Sequence, residues 1–87
     1  MAAWESGWYY LAAGASNTYW VSWGDTWQGL QYMMAEPRGG QSRLHVTAYG
    51  IQSIPRFGAS PLTSYWVDVT NYGPFGTNFV LRGHRVD

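Results

Sequence analysis

No stretch of this chain keeps a helical period over about ten residues. Its apolar residues instead alternate with polar ones in short runs, broken repeatedly by glycine and proline. That pattern admits strands and tight turns and excludes a helical domain. Two of the runs echo each other. Gly14–Val21 reads Gly-Ala-Ser-Asn-Thr-Tyr-Trp-Val, and Gly58–Val67 reads Gly-Ala-Ser-Pro-Leu-Thr-Ser-Tyr-Trp-Val. Downstream, Gly29-Leu30-Gln31-Tyr32-Met33-Met34 is matched in character by Gly76-Thr77-Asn78-Phe79-Val80-Leu81. The offset drifts from 44 to 47 residues, about half the chain, which is the mark of a diverged internal duplication.

Taken in order, six strands are expected. Trp4–Leu11 is the first, with Trp4, Ser6, Trp8 and Tyr10 on one face and Gly7 marking a bulge or a break. Thr18–Gly24 is the second, with Tyr19, Val21 and Trp23 on one side and Thr18, Trp20 and Ser22 on the other. Gly24-Asp25-Thr26 turns the chain into a third strand, Gly29–Ala35. Glu36–Gly40 then connects the halves. The second half repeats the plan with Arg43–Gln52, where Leu44, Val46 and Ala48 share a face, then Ser64–Thr70 and Thr77–Arg82. Pro55 and Pro61 bound an irregular stretch containing Phe57. Tyr19 and Val21 in one half, and Tyr65, Val67 and Val69 in the other, form the expected core face.

The fold expected is a single all-β domain over residues 1–87, with two repeats, 1–40 and 41–87. A compact antiparallel sandwich, a small barrel and blade-like sheets all fit about six strands related by a pseudo-twofold. The segment Val69–Pro74, Val-Thr-Asn-Tyr-Gly-Pro, resembles turns of bacterial immunoglobulin-like sandwiches, a short pattern that leaves all three architectures open. The half-chain repeat is similar in plan to tiny lectins whose two blade-like repeats assemble into propellers. That likeness is architectural, because no sugar-binding motif of theirs is matched residue by residue.

Composition removes several chemistries. There is no Cys and no Lys, so thiol catalysis, disulfides, thiolate metal sites and lysine Schiff bases are excluded. Five Arg balance three Asp and two Glu, which leaves nothing to draw in a phosphate backbone, and no nucleic-acid partner is expected. The longest apolar run, Trp8–Ala13, is too short for a membrane span, and the residues after Met1 lack the basic start of a signal peptide. His45 and His84 form no paired ligand motif, so no metal or cofactor is expected. No serine occupies a Gly-x-Ser-x-Gly elbow, and the few carboxylates fit turns or hydroxyl contacts better than a glycosidase pair. The expected protein is not an enzyme.

The aromatic residues, 18% of the chain against 11% charged, carry the functional signal. Trp20 between Thr18 and Ser22, and Trp66 between Ser64 and Asp68, place a large indole among small hydroxyls and a carboxylate. Such a face suits a pyranose, whose C–H groups stack on an aromatic ring while its hydroxyls need donors and acceptors. Asp25, Trp27 and Gln28 would complete the site around Trp20, and Asn71, Asn78 and Arg82 the site around Trp66. The expected ligand set is Trp20, Ser22, Asp25, Trp27, Trp66, Asp68, Asn71 and Arg82. The expected function is a non-enzymatic, lectin-like carbohydrate-binding protein acting as a homo-oligomer, since a small domain without disulfides gains stability by association. The same Trp-rich faces also fit protein contacts in a self-assembling structural subunit of a shell, fibre or virion.

Overall fold

The computed structural model describes residues 3–22, 28–39 and 41–87. The described residues are all-β, with six strands: β1 (Ala3–Leu11), β2 (Ser16–Ser22), β3 (Gln31–Pro37), β4 (Leu44–Arg56), β5 (Ala59–Asn71) and β6 (Thr77–Arg85). They form two antiparallel three-stranded sheets, ordered β1-β6-β3 and β2-β5-β4, and no described strand closes them into a barrel. Among these six, only β4 and β5 are consecutive strands paired within one sheet; the other consecutive strands lie in opposite sheets. The sandwich among the expected architectures is the one that forms.

The alternation seen in the sequence decides what lies between the sheets. Tyr19, Tyr65, Val67 and Val69 point inward from the β2-β5-β4 sheet, with Val21 half-buried beside them. Leu11, Met33, Ala35, Phe79 and Leu81 meet them from the other sheet. Tyr9, Tyr19 and Phe79 form a three-ring cluster, with the Tyr19 and Phe79 centroids 5.4 Å apart and edge-on. Edge-on packing sets the positive rim of one ring against the negative face of the other.

The Tyr19 hydroxyl is buried, and no hydrogen-bond partner reaches it. Burial raises its pKa above the ordinary 10.0; the Asn17 side chain, near the hydroxyl but outside hydrogen-bonding geometry, opposes the rise and Tyr9 adds to it. The folded chain therefore holds this proton more tightly than the unfolded chain. The contribution is complete below pH 10.0 and is lost as pH rises through the higher folded value. Tyr19→Phe deletes the unpartnered hydroxyl and should stabilise the fold by about 1 kcal/mol. Urea unfolding at pH 7 and above pH 10 checks both parts: a gain at neutral pH that widens in alkali is expected, and a loss at pH 7 would refute it.

Two β-bulges change which residues face inward. In β1 the register shifts between Glu5 and Trp8, so Trp4, Tyr9 and Leu11 look into the sandwich while Trp8 and Tyr10 look out. The expected common face of Trp4, Ser6, Trp8 and Tyr10 is therefore broken at Ser6-Gly7, because an unpaired residue inverts the alternation beyond it. The Ser6 hydroxyl accepts the Leu81 amide at 2.8 Å, which repairs the ladder there. In β4 a shift between Val46 and Ala48 leaves Leu44, Val46 and Tyr49 on the inner side and puts Ala48 opposite Asp68. The expected face of Leu44, Val46 and Ala48 is corrected accordingly.

The half-chain echo also acquires a firm register. β2 and β5 pair with Trp20 opposite Trp66, and β3 and β6 pair with Ala35 opposite Leu81, both 46 residues apart in sequence. A local twofold through each antiparallel pair relates residues at that single offset. The sequence matching of Tyr32 with Phe79 is one residue out, since Tyr32 is exposed and Phe79 is buried, and Met33 is the inward counterpart. The outer strands depart from this relation: β1 lies beside β6, whereas β4 lies beside β5 rather than β3.

The stretch around Phe57 is not irregular. β4 and β5 run on past the sandwich as a hairpin closed by Phe57-Gly58, with Gly58 at φ 72° and Arg56 opposite Ala59. Phe57 is fully exposed at its tip. This arm gives the molecule its 47 × 25 × 19 Å extents and a radius of gyration of 14.1 Å, against about 12 Å for a compact chain of this length.

Candidate functional site

The outer face of the β2-β5-β4 sheet brings Trp20, Ser22, Trp66 and Asp68 together. Because β2 and β5 pair with Trp20 opposite Trp66, Thr18 stands opposite Asp68, and Ser22 opposite Ser64. Each step along the strands changes the chemistry of the surface: hydroxyl and carboxylate, two indoles, then the exposed Ser22 hydroxyl with Ser64 buried opposite it. Trp20 is 52% exposed and Trp66 half-buried.

What half-buries Trp66 is its neighbour on β4. Gly50 is directly opposite Trp66, and a Cβ there would lie 2.8 Å from the indole ring. The ring therefore leans across the glycine towards β4, filling the space a side chain would take. On the inner face of the other sheet, Trp4 lies over Gly83 in the same way, with its Nε1 donating to Gln31 Oε1 at 3.0 Å. There the indole closes the core, whereas at Gly50 it lies outside.

Beside the indoles, Ser16, Asn17, Thr18, Thr47, Asp68 and Thr70 line an open polar depression of about 400 Å³. Thr18 Oγ1 donates to Asp68 Oδ1 at 2.5 Å, and the Ser16 and Thr70 hydroxyls share a hydrogen bond of 2.6 Å. Thr47, on this side by the alternation that puts Val46 inside, points its hydroxyl at the Asp68 carbonyl, 3.4 Å away. Ser22 Oγ donates to the Thr63 carbonyl at 3.2 Å. These bonds hold side chains in fixed positions, and hydroxyls and carboxylate oxygens keep further lone pairs for a ligand.

The remaining candidates stand elsewhere. Asn71 is fully buried at the end of β5; its Nδ2 donates to the carbonyls of Leu11 and Phe75, and its Oδ1 accepts the Gly73 amide. Its hydrogen-bonding groups face the chain, not a surface. Arg82 lies on the outer face of the other sheet, where it and Arg38 both reach Glu36 at 3.2 Å and Arg38 also reaches Glu5 at 3.4 Å. Arg38 further sits 5.3 Å above the Trp8 ring. Asn78 shares that sheet, opposite Tyr10. The backbone amide of Gln28 donates to the Tyr65 hydroxyl at the far end of the sandwich. Asp25 and Trp27 lie outside the described residues, as do Trp23 and the turn between them.

Sequence reasoning missed Gly50, Thr47 and Ser16. A glycine inside a strand pattern was the available signal for Gly50. Its partner Trp66 became visible only with the register. Among the described residues no group of three His, Asp or Glu side chains could hold a metal ion. His45 packs edge-on to Tyr72 with centroids 4.8 Å apart.

Comparison with protein-family models, curated proteins and solved structures finds no match. The geometry of the site therefore carries the functional argument by itself.

Proposed function

We propose that this protein is a non-enzymatic carbohydrate-binding domain whose ligand stacks on Trp20 and Trp66. The observation that carries this reading is the position of two adjacent outward indoles between polar groups, Thr18 and Asp68 on one side and the exposed Ser22 on the other, where the facing Ser64 is buried. An apolar ring face with hydroxyl and carboxylate partners at both margins matches the two kinds of surface a pyranose presents. Nothing in such a face needs to do bond-breaking chemistry, and association into a homo-oligomer would add avidity to individually weak sites.

A glycan array followed by calorimetry tests the reading. Trp20→Ala and Trp66→Ala should each weaken binding by ~1–2 kcal/mol, about 5- to 30-fold, taking aromatic stacking on nucleobases as the scale. Trp20→Ala should keep the wild-type fold, because substitutions at exposed side chains usually change stability by less than about 0.5 kcal/mol. Trp66 is half-buried over Gly50, and its variant is compared at temperatures where circular dichroism shows it folded. Unchanged affinity in both variants, or no glycan bound at all, would refute it.

A second reading, the self-assembling structural subunit, is favoured by the β4–β5 arm. Beyond the Gln52–Ser64 pair the arm is a two-stranded ribbon with no third strand among the described residues. Ribbons of that kind are marginal in water without a partner. At its base, Leu30, Tyr32, Tyr49, Ile51 and Val86 expose apolar surface around a cleft of about 460 Å³. Light scattering in solution separates the readings. Large assemblies that Phe57→Asp reduces to monomers, with no glycan bound, would favour the subunit.

A further inference from the structure

Resting on the carbohydrate reading, we infer that the ligand is a neutral, linear polysaccharide bound through its interior and crossing the strands of the β2-β5-β4 sheet. Three observations give the direction, the open ends and the charge.

The direction follows from Gly50. Trp20 and Trp66 are side by side on neighbouring strands, not in line along one strand, and the Trp66 ring leans on towards Gly50. The aromatic surface is therefore a strip running from β2 over β5 to β4. Adjacent strands lie about 4.8 Å apart, so the strip extends for about 10 Å, room for about two to three pyranose rings. The polar rows lie to either side of it. Thr18 and Asp68 are two residues along the strands in one direction and Ser22 two residues in the other, each about 7 Å away, while Ser64, opposite Ser22, is buried. A flat sugar chain lying on the strip presents its ring faces to the indoles and its hydroxyl edges to both rows.

Among the described residues the ends are open. β2 and β4 are the two edge strands of the sheet there, so no further described strand walls off either end of the strip. A site for a terminal sugar needs such a wall to recognise the last ring. The pairing of Trp20 with Trp66 at the local twofold adds to this, because the strip offers an indole to a chain entering from either edge.

The charge follows from Asp68. Its counterpart across the local twofold is Ser22, so one row is acidic and the other is not. Arg43 just precedes β4 and Arg56 ends it, five and eight residues from Ala48, which faces Asp68; at about 16 Å or more they lie beyond the ~10 Å over which charges act through screened solvent. Uronic or sulfated chains meet like charge at Asp68, whereas neutral hydroxyls find an acceptor.

The test is calorimetric titration of the full chain with reduced and unreduced gluco-, xylo- and chito-oligosaccharides of one to six rings, and with polygalacturonate. Affinity should rise at least 10-fold from one ring to three in the series that binds, then level off, and borohydride reduction of the terminal ring should not alter hexamer binding. Gly50→Val, which forces the Trp66 ring off the strip, should remove most of the gain between one and three rings while leaving the circular dichroism spectrum unchanged. Length-independent binding, dependence on an intact chain end, or preference for polygalacturonate would overturn this inference and leave the carbohydrate reading standing. Silence across every series would overturn both.

Discussion

Asn71→Ala should destabilise the domain by about 3 kcal/mol, more than any surface change at the Trp20–Trp66 face. Asn71 is fully buried, and its side chain binds three backbone groups in two segments at once. Nδ2 donates to the Leu11 carbonyl at the end of β1 and to the Phe75 carbonyl in the β5–β6 loop, and Oδ1 accepts the Gly73 amide in the same loop. Its main chain joins the β1–β2 corner through the Gly14 amide and the Ala15 carbonyl, each at 2.9 Å. Alanine leaves the side-chain partners without their bonds, and a buried polar group so stranded costs about 1–3 kcal/mol. Of the three, the Leu11 carbonyl is the deepest; Gly73 and Phe75 lie closer to water, which holds the total near the lower end of the sum. The expected fall in Tm is more than about 12 °C for a domain of this size. Asn71→Asp should not rescue it, since a carboxylate keeps the acceptor for Gly73 but turns two donors into lone pairs facing carbonyl oxygens. A loss below about 1 kcal/mol in urea unfolding would show that water replaces the side chain and that Asn71 is not the tie inferred here.

Phe79→Ala should cost about 3–5 kcal/mol. Phe79 lies on β6, the central strand of its sheet, and is completely buried between Tyr9 and Tyr19. Its removal deletes apolar contact and leaves a cavity that two flanking strands cannot close without breaking their ladders. Domains of this length have a total stability of only about 4–13 kcal/mol, so the variant should be partly unfolded at 37 °C. The other two phenylalanines supply the control: Phe57 and Phe75 are exposed, and alanine at either should change stability by less than about 0.5 kcal/mol. Equal losses at Phe75 and Phe79 would contradict the placement of the core. Should Phe79→Ala fail to express, Phe79→Leu, expected to lose about 1.5 kcal/mol, keeps the comparison measurable.

These effects separate the parts of the fold that were legible in the residues from those that were not. Alternation is local, so the inward set Tyr65, Val67 and Val69 and the outward Trp66 could be read from neighbours two positions apart. The same reasoning placed Tyr19 inside and Trp20 outside. It failed wherever an extra residue entered a strand. At Ser6-Gly7 and at Thr47 the alternation inverts, and the sequence around them carries no more than a glycine in one case and nothing distinctive in the other.

The candidate site divides along the same line. Trp20, Ser22, Trp66 and Asp68 lie on two strands whose faces were each readable, and pairing β2 with β5 sufficed to bring them together. Asn71 and Arg82 were assigned by their nearness in sequence to β5 and to the echoed strand. Nearness along a chain does not choose a sheet: β6 crosses to the other side of the sandwich and takes Arg82 with it, to Glu36. Asn71 is the last residue of β5 and continues its inward face, so the fold encloses a polar side chain that composition alone assigns to a surface.

By itself, then, the sequence determined the class of structure, the short alternating strands, the core-facing aromatic and β-branched residues, and the pair of outward indoles. Each of those depends on the two-residue pleat, which is a property of a single strand. Only the tertiary structure decided how the strands divide between sheets, where the register shifts, that Gly50 lies beneath Trp66, and that the β4–β5 hairpin leaves the body of the domain. Those are set by long-range pairing, in which a strand's neighbours are chosen by the packing of the whole core and not by any residue within it.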